Sequence, residues 1–307
     1  MCANSNNMYS YYNENTILYF DGAYAKAAEA KIDLYGQSLH YGYAVFEGIR
    51  AYKTESGEVK IFKAKEHFDR FKRSCELIHI PYKYNNDELI AACYKVLELN
   101  NMQEAYIRPL VFCPPNMTLK AASETHLLIC AWEWGAYLGE KLLRVMVSSY
   151  QRPNPKAFKI ESKAAGMYIN SILASQEAKE KGYEEALLLD IDGFVAEGPG
   201  ANLFYEKEGT IYTPQKGNIL PGITRATVIE ICAELGIPLV EKQITVEELK
   251  QAEAVFYCGT AAEVIGWDSL DGQGFSKPWA ESLGKVIQQA YKAKVLEKEF
   301  KREAIPA

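Results

Sequence analysis

The segment ESKAAGMYIN, residues 161–170, places one lysine in front of three small residues and a run that can form an apolar helix. The small residues directly after Lys163 would leave room for a planar ring beside its amine. A lysine that is buried, or that lies near another cation, loses proton affinity, as an amine that attacks a carbonyl carbon must. The alternative is a solvated lysine, the usual state of this residue. Lys163 is therefore a candidate catalytic residue that needs support from elsewhere in the chain.

A second segment, FVAEGPGANLF at residues 194–204, ends a short predicted strand with Glu197 and continues through a tight loop. A carboxylate at a strand end can keep the nitrogen of a pyridinium ring protonated, which strengthens that ring as an electron sink. A hairpin loop with an exposed glutamate is the alternative. The two glycines of the loop could also cradle a phosphate, although their spacing is not specific for that role.

Two further segments can bind an anion. In ILPGITRATV, residues 219–228, a Pro-Gly step opens a predicted helix whose free amides and positive dipole end suit a phosphate. The hydroxyl of Thr224 can cap this helix or bind the anion. In CGTAAEV, residues 258–264, Thr260 and the neighbouring amides can take a phosphate or a carboxylate, and an ordinary turn is the alternative.

Together the four segments supply an amine, an acid and two anion-binding loops, in that order along the chain. These are the groups needed to hold pyridoxal phosphate by its aldehyde, its ring nitrogen and its phosphate. Each segment alone has a structural alternative, so the prediction rests on their combination.

The composition excludes several other classes of function. The 307 residues are 48% hydrophobic and 24% charged, which is enough for one large domain or two medium ones. A net charge of −6 argues against nucleic acid or an anionic membrane as the main partner. No apolar run approaches the roughly 20 residues that span a bilayer, and the polar N-terminus lacks the order of a secretory signal. Seven scattered cysteines and four histidines form no CxxC or HExxH spacing, which predicts a cytoplasmic protein with reduced thiols and no metal site.

Hydrophobic periodicity predicts a mixed α/β (α+β) fold, without the regular βαβ winding or the GxGxxG loop of a dinucleotide-binding domain. A composition change at residues 132–141 predicts a linker between a smaller N-terminal α/β domain (1–131) and a larger C-terminal one (142–307). The predicted strands are 16–20, 59–62, 105–113, 127–132, 143–148, 186–190, 193–196, 202–205 and 254–257. The predicted helices are 64–79, 87–99, 169–181, 224–235 and 283–291.

The chain also resembles a known family over nearly its whole length, roughly residues 18–291. It is similar to the bacterial branched-chain amino acid aminotransferases, which belong to the fold-type IV pyridoxal-phosphate enzymes. The resemblance implies a two-domain architecture with the cofactor between the domains. Seven stretches carry it: HYGYAVFEGIRAY (40–52), AYIRPL (105–110), WGAYLG (134–139), Lys163 with Tyr168, EGPGANLF (197–204), LPGITR (220–225) and GTAAEV (259–264).

The resemblance implies a role for each matching residue. Lys163 would be the Schiff-base lysine and the base that moves a proton between the substrate Cα and C4′ of the cofactor. Tyr168 would bond the phenolate oxygen, and Glu197 would pair with the ring nitrogen. The phosphate would be held by Arg70, Ile223, Thr224 and Thr260, and Leu220 completes the predicted cofactor set.

Substrate recognition is implied in the same way. Tyr106, with the amides of Thr260 and Ala261, would take the α-carboxylate. Arg108 would meet the distal carboxylate of glutamate. The apolar side-chain pocket would be lined by Phe46, Tyr41 and Tyr137.

The implied activity is ping-pong transamination between leucine, isoleucine or valine and 2-oxoglutarate, by at least a homodimer whose partner residues complete the pocket. Other interpretations on the same scaffold are an aminodeoxychorismate lyase and a D-amino acid or amine transaminase, and the pair Tyr106 and Arg108 favours the branched-chain activity over both. A catalytically silent binding protein is the alternative from another class, and the presence of the lysine, the acid and the phosphate arginine argues against it. Two departures leave the substrate range open: VFCPPNMTLK (111–120) replaces a glycine-rich loop, and IGWDSLDG (265–272) follows GTAAEV instead of Thr-Pro.

Overall fold

A computed structural model describes residues 11–135, 138–139 and 141–300. The first of its two sheets is antiparallel, with strand order β2-β1-β7-β6-β4-β5 and β3 paired to β6. Its strands are β1 (Ile17–Phe20), β2 (Ala23–Lys26), β3 (Ala44–Phe46), β4 (Ile49–Lys53), β5 (Val59–Ile61), β6 (Ala105–Phe112) and β7 (His126–Trp132). The helices of this part are α1 (Gln37–Tyr41), α2 (Ala64–Leu77) and α3 (Asn86–Leu99).

The second sheet begins at Leu143 and has the strand order β10-β9-β8-β15-β14-β11-β12-β13, with β16 on β15. Because β10 pairs with β11 as well as with β9, six of these strands close into a ring of pairings. Its strands are β8 (Leu143–Gln151), β9 (Glu185–Leu189), β10 (Val195–Glu197), β11 (Asn202–Lys207), β12 (Thr210–Pro214), β13 (Leu239–Lys242), β14 (Ala254–Gly259), β15 (Glu263–Leu270) and β16 (Gln273–Gly274). The helices are α4 (Tyr168–Glu180), α5 (Ile223–Glu234), α6 (Val246–Lys250) and α7 (Leu283–Val295).

Each sheet carries its own hydrophobic core. Phe68 and Phe71 of α2 are fully buried with Ile107 against the first sheet. Helices α5 and α7 cover the second sheet, where Ile287 packs with Phe256. Burying one such side chain contributes about 1.5–3 kcal/mol, so these cores hold the loops between them in place. Within the described ranges, no helix has the length and apolar composition needed to cross a bilayer.

The predicted mixed α/β fold class is confirmed, and the long predicted helices begin and end within a few residues of the observed ones. Several strands were missed, and three of them bear on the site. Strands β3 and β4 are short and lie on either side of the Glu47-Gly48 step. Neither strand therefore shows a clear alternation of apolar and polar residues. Strand β15 is buried on both faces, which removes the alternation that reveals a half-buried strand. The stretch after GTAAEV is thus a central strand.

Candidate active site

A cavity of about 250 Å³ lies between the two sheets and their connecting loops. Both parts of the chain line it, and twelve of the fourteen predicted site residues are among its lining residues. The predicted residues that line it are Phe46, Arg70, Tyr106, Arg108, Lys163, Tyr168, Glu197, Leu220, Ile223, Thr224, Thr260 and Ala261.

Lys163 lies in the connection between β8 and α4, and its amine faces this cavity. Its Nζ donates a hydrogen bond of 2.8 Å to the hydroxyl of Tyr168, the first residue of α4. The backbone of Lys163 is fixed on both sides, because its N–H donates to Ser74 Oγ at 3.0 Å and its carbonyl accepts from the Phe46 amide at 3.2 Å. The amine is therefore anchored at its base and oriented at its tip.

The small residues after Lys163 have a different role from the predicted space for a ring. Ala164 forms a bridge with Val45, and the amide of Gly166 donates to the carbonyl of Gly42 at 3.0 Å. A Cβ added to Gly42 would lie 2.9 Å from Gly166 Cα. The small side chains thus allow two backbone segments to approach closely, and this contact holds Lys163 in the cavity wall.

Glu197 is a buried carboxylate at the end of β10, and the alternative of an exposed hairpin glutamate is wrong. Its Oε1 lies 3.0 Å from Nε of Arg152 and accepts from the amide of Leu220 at 3.1 Å. Its Oε2 accepts from Nδ2 of Asn202 at 2.9 Å. Burial raises the pKa of Glu197, and the positive charge of Arg152 is the main effect in the opposite direction. Two hydrogen bonds and one ion pair fix the group and leave acceptor capacity, since a carboxylate has about four acceptor sites.

Arg152 and Asn202 had no predicted role. Arg152 follows β8 in a loop that carries no motif, so only the fold brings it to Glu197. Asn202 lies inside the EGPGANLF stretch and could have been noticed there. It also donates to the carbonyl of Leu220 at 3.0 Å, and a Cβ on Gly222 would lie 2.0 Å from its Oδ1. Asn202 therefore couples the acid to the start of α5, and glycine is required where the two meet.

The start of α5 forms the end of the cavity at which an anion was predicted to bind. Its N-cap is Gly222, and no side chain caps the helix, so Thr224 is a helix residue and not the predicted alternative cap. Arg70 of α2 reaches this point, where its Nη1 donates to the carbonyl of Pro221 at 3.2 Å. Thr260 lines the same cavity from the loop after β14. Free amides, a helix dipole and a guanidinium thus meet at one place.

Arg70 is oriented by an acid that the sequence did not reveal. Glu47 is fully buried between β3 and β4, where it accepts from Arg70 and lies 2.7 Å from Nδ1 of His67. Burial raises the pKa of Glu47, but Arg70 and His67 together lower it by more, so the carboxylate stays ionised. A single acid inside the apolar run AVFEGI was the signal available in the sequence.

The opposite side of the cavity is aromatic and carries one guanidinium. The Cζ atom of Arg108 lies 4.5 Å from the ring centroid of Phe46, 5.3 Å from that of Tyr106 and 5.5 Å from that of Trp132. Trp134 packs edge-on against Tyr106 at 4.8 Å. This wall can accept an apolar side chain and also offers a positive charge.

Two predicted substrate residues are not found in this wall. Tyr41 is 48% exposed on α1, where its hydroxyl donates to the carbonyl of Met117 at 3.2 Å, and it does not line the cavity of its own chain. Tyr137 lies outside the described residues. Within the part of the chain that the structure describes, no cluster of three histidine, cysteine, aspartate or glutamate residues could hold a metal ion.

Comparison with known proteins agrees with this geometry. The family model described as amino-transferase class IV matches residues 44–270. A branched-chain-amino-acid aminotransferase of Pseudomonas aeruginosa is 40% identical over 281 residues, which cover 90% of this chain and 91% of that protein.

Solved structures resemble the chain over both sheets. The crystal structure of the Escherichia coli branched-chain amino acid aminotransferase matches with a TM-score of 0.89 at 37% identity, covering 93% of this chain and 96% of that one. The branched-chain amino acid aminotransferase of Thermobaculum terrenum, solved in its PLP-form, matches with a TM-score of 0.87 at 30% identity, covering 94% of this chain and 96% of that one. The predicted family is thereby confirmed, and the chain belongs to the class IV aminotransferases.

Proposed function

We propose that this chain transfers the amino group of branched-chain L-amino acids to 2-oxoglutarate, with pyridoxal 5'-phosphate as its cofactor. One observation carries the proposal: a lysine amine, a tyrosine hydroxyl, a buried carboxylate and a free helix N-terminus line one cavity. Relatives at about 40% identity are named branched-chain-amino-acid aminotransferases, which supports the choice of substrate.

The donor set fits the cofactor group by group. Lys163 would bind the aldehyde carbon, and Tyr168 would bind the phenolate oxygen. Glu197 would bind the ring nitrogen, because its carboxylate can accept more hydrogen bonds than its three protein partners provide. Arg70, the first amides of α5 and Thr260 would hold the phosphate. When bound, the cofactor supplies an electron sink for the electrons released at the substrate Cα.

The protein's part in the reaction is to position the substrate and to move one proton. Lys163, as the free amine, would take the proton from the substrate Cα and return it to the cofactor's C4′. The hydrogen bond to Tyr168 keeps Nζ on the side of the cavity where both carbon atoms would lie. Positioning of this kind, together with general base catalysis, accounts for large rate factors in enzymes.

One pocket must accept both an isobutyl-like side chain and the carboxylate of 2-oxoglutarate. We infer that Phe46 and Trp134 contact the apolar side chain, and that Arg108 turns its N–H groups toward the distal carboxylate. The α-carboxylate, common to all substrates, would bind the hydroxyl of Tyr106 and the amides of Thr260 and Ala261.

We further propose that the enzyme is a homodimer of two-domain subunits, each domain built on one sheet. A set of exposed apolar residues supports this, and its members on α1 lie near those at the start of α4 because Gly42 contacts Gly166. An exposed apolar face marks a site of association, and Tyr41 is one of its exposed residues. Its exposed residues are Leu34, Tyr35, Leu39, Tyr41, Met117, Leu119, Ile169, Ile172 and Leu173.

The oligomer is tested by charging this face. Ile172→Asp should convert a dimer to a monomer in sedimentation velocity, because a desolvated carboxylate would lie in the interface. Leu99→Asp, at an exposed apolar position on α3, is the matched control and should stay dimeric. A wild-type protein that sediments as a monomer would contradict the proposal.

The activity is tested with one panel of amine donors and 2-oxoglutarate. Leucine, isoleucine and valine should give glutamate, and the purified protein should be yellow. Release of pyruvate from aminodeoxychorismate would favour the lyase, and activity with D-alanine or an arylamine alone would favour the other transaminases.

A further inference from the structure

Arg50, on strand β4, joins the first sheet to the loop that carries the proposed α-carboxylate amides. Its Nη2 donates to the carbonyl of Ala261 at 3.1 Å and to the carbonyl of Gly135 at 2.8 Å. Its Nη1 lies 3.7 Å from Oε1 of Glu263. The side chain is only 12% exposed, so these contacts are largely shielded from water.

Arg50 contacts each of the three segments that would form the α-carboxylate site. Its backbone pairs with that of Tyr106 in the register of β4 and β6. Gly135 follows Trp134, whose ring packs edge-on against Tyr106. Ala261 belongs to the third segment, the loop after β14. Arg50 therefore links the three segments, through its backbone to Tyr106 and through its side chain to Gly135 and Ala261.

The loop after β14 needs such a support because it ends at a residue with an unfavourable backbone conformation. Glu263 has a φ of 54°, a left-handed backbone conformation that residues other than glycine adopt only at an energetic cost. Its carboxylate accepts from the hydroxyl of Tyr52 at 2.9 Å and from Nζ of Lys292 at 3.2 Å, in addition to its contact with Arg50. Tyr52 lies on the same strand as Arg50, so β4 holds the loop at two points.

We propose that Arg50 is a positioning residue that sets the affinity of the site for the α-carboxylate of every substrate. This rests on the proposed function, because it assumes that Tyr106, Thr260 and Ala261 bind that carboxylate. Arg50 orients the Thr260-Ala261 segment by holding the Ala261 carbonyl, and it leaves the amides of that loop free for the ligand. Arg70, the first amides of α5 and Glu197, which would hold most of the phosphate and the ring nitrogen, make no contact with it. Thr260 is the one proposed phosphate contact on the segment that Arg50 orients.

The inference predicts a distinctive kinetic pattern for Arg50→Gln. The KM values for leucine and for 2-oxoglutarate should rise together, by about tenfold to a hundredfold, because the weakened hydrogen bonds to the α-carboxylate are common to both substrates. The dissociation constant of pyridoxal phosphate should change much less than the KM values, because Arg70, the first amides of α5 and Glu197 would hold the cofactor without Arg50. A role limited to fold stability would instead lower the melting temperature and the cofactor affinity as well.

Arg50→Lys separates positioning from charge. Lysine keeps the positive charge but lacks the planar fork that reaches two carbonyl oxygens and a carboxylate. It should therefore restore little of the lost affinity. Lys292→Gln is the matched control, because it removes a more exposed cation from the same Glu263 carboxylate and should leave both KM values unchanged.

Direct binding of 4-methylvaleric acid to the holoenzyme, measured by calorimetry, makes the test independent of turnover. This compound carries a carboxylate and a leucine-like chain but no amine. Weaker binding to both Arg50 variants with a much smaller change in cofactor affinity supports the proposal. Wild-type affinity in Arg50→Gln, recovery in Arg50→Lys, or an equal loss of cofactor binding overturns it. A wild-type protein that fails to transaminate leucine overturns the proposed function instead, so the two failures are distinguishable.

Discussion

Arg70 and Glu47 form a two-point ion pair in which Nε lies 2.8 Å from Oε1 and Nη2 lies 2.9 Å from Oε2. Burial lowers the pKa of His67, which therefore contacts the carboxylate as a neutral ring. The charges of Arg70 and Glu47 cancel, so the buried cluster is close to neutral. The pair uses the Nε–Nη2 edge of the guanidinium and leaves Nη1 at the start of α5, where a phosphate would bind.

Arg70→Met should destabilise the protein by about 3–5 kcal/mol at neutral pH, because it leaves the Glu47 carboxylate buried without its cation. Urea denaturation measures this difference. Arg73→Met, an exposed position on the same helix, is the control and should change stability little.

The loss in Arg70→Met should depend on pH with a defined sign. In the wild type the pKa of Glu47 is lowered, so the ion pair contributes stability above the ordinary carboxyl pKa, near 4.5, that is lost as the pH falls below it. In the variant, burial acts without the cation and favours the protonated acid. The two proteins should therefore converge in stability as the pH is lowered through 4.5, and a constant difference would contradict the assignment.

Lys163→Ala should reduce transamination by about 10²- to 10⁴-fold or more, since it removes the proposed general base and covalent anchor. Borohydride should fix the cofactor on the peptide that contains Lys163 in the wild type and not in the variant. Lys156→Ala, an exposed lysine in the same connection, should behave as wild type. Turnover at the wild-type rate in Lys163→Ala would refute the mechanism.

Arg152→Gln should move the acid limb of the kcat/KM profile to higher pH. Burial raises the pKa of Glu197 and Arg152 opposes that effect, so removing Arg152 raises the pKa further. Activity that needs the ionised carboxylate is then lost at a higher pH as the solution is acidified. Arg144→Gln, which breaks an exposed pair with Glu184, should leave the profile in place.

Gly48→Ala should raise the KM for both substrates by up to about a hundredfold, because it weakens a hydrogen bond to the α-carboxylate that both substrates share. A Cβ at this position would lie 1.8 Å from the hydroxyl oxygen of Tyr106, which must then move from the proposed α-carboxylate site. Cofactor affinity should be unaffected. Gly274→Ala, in a strand where the added Cβ would meet only one atom at 3.8 Å, should show wild-type constants.

Long helices and contiguous motifs could be predicted without coordinates. Helices α2 and α3 repeat their apolar positions at helical spacing because one face packs on a sheet. Three features of the site are local: the carboxylate of Glu197, the start of α5 and the Thr260 loop. The chemistry of each depends on a few consecutive residues. That is why the sequence alone indicated a site for pyridoxal phosphate.

The tertiary structure alone decided which distant groups support that site. Arg152 reaches Glu197, Glu47 orients Arg70 from 23 residues away, and Arg50 contacts Ala261 across 211 residues. Such pairs leave no periodic or spacing signal, because they depend on how two sheets pack and not on local conformation. The sequence therefore determined the groups that would touch the cofactor, and folding determined the buried partners that hold those groups in position.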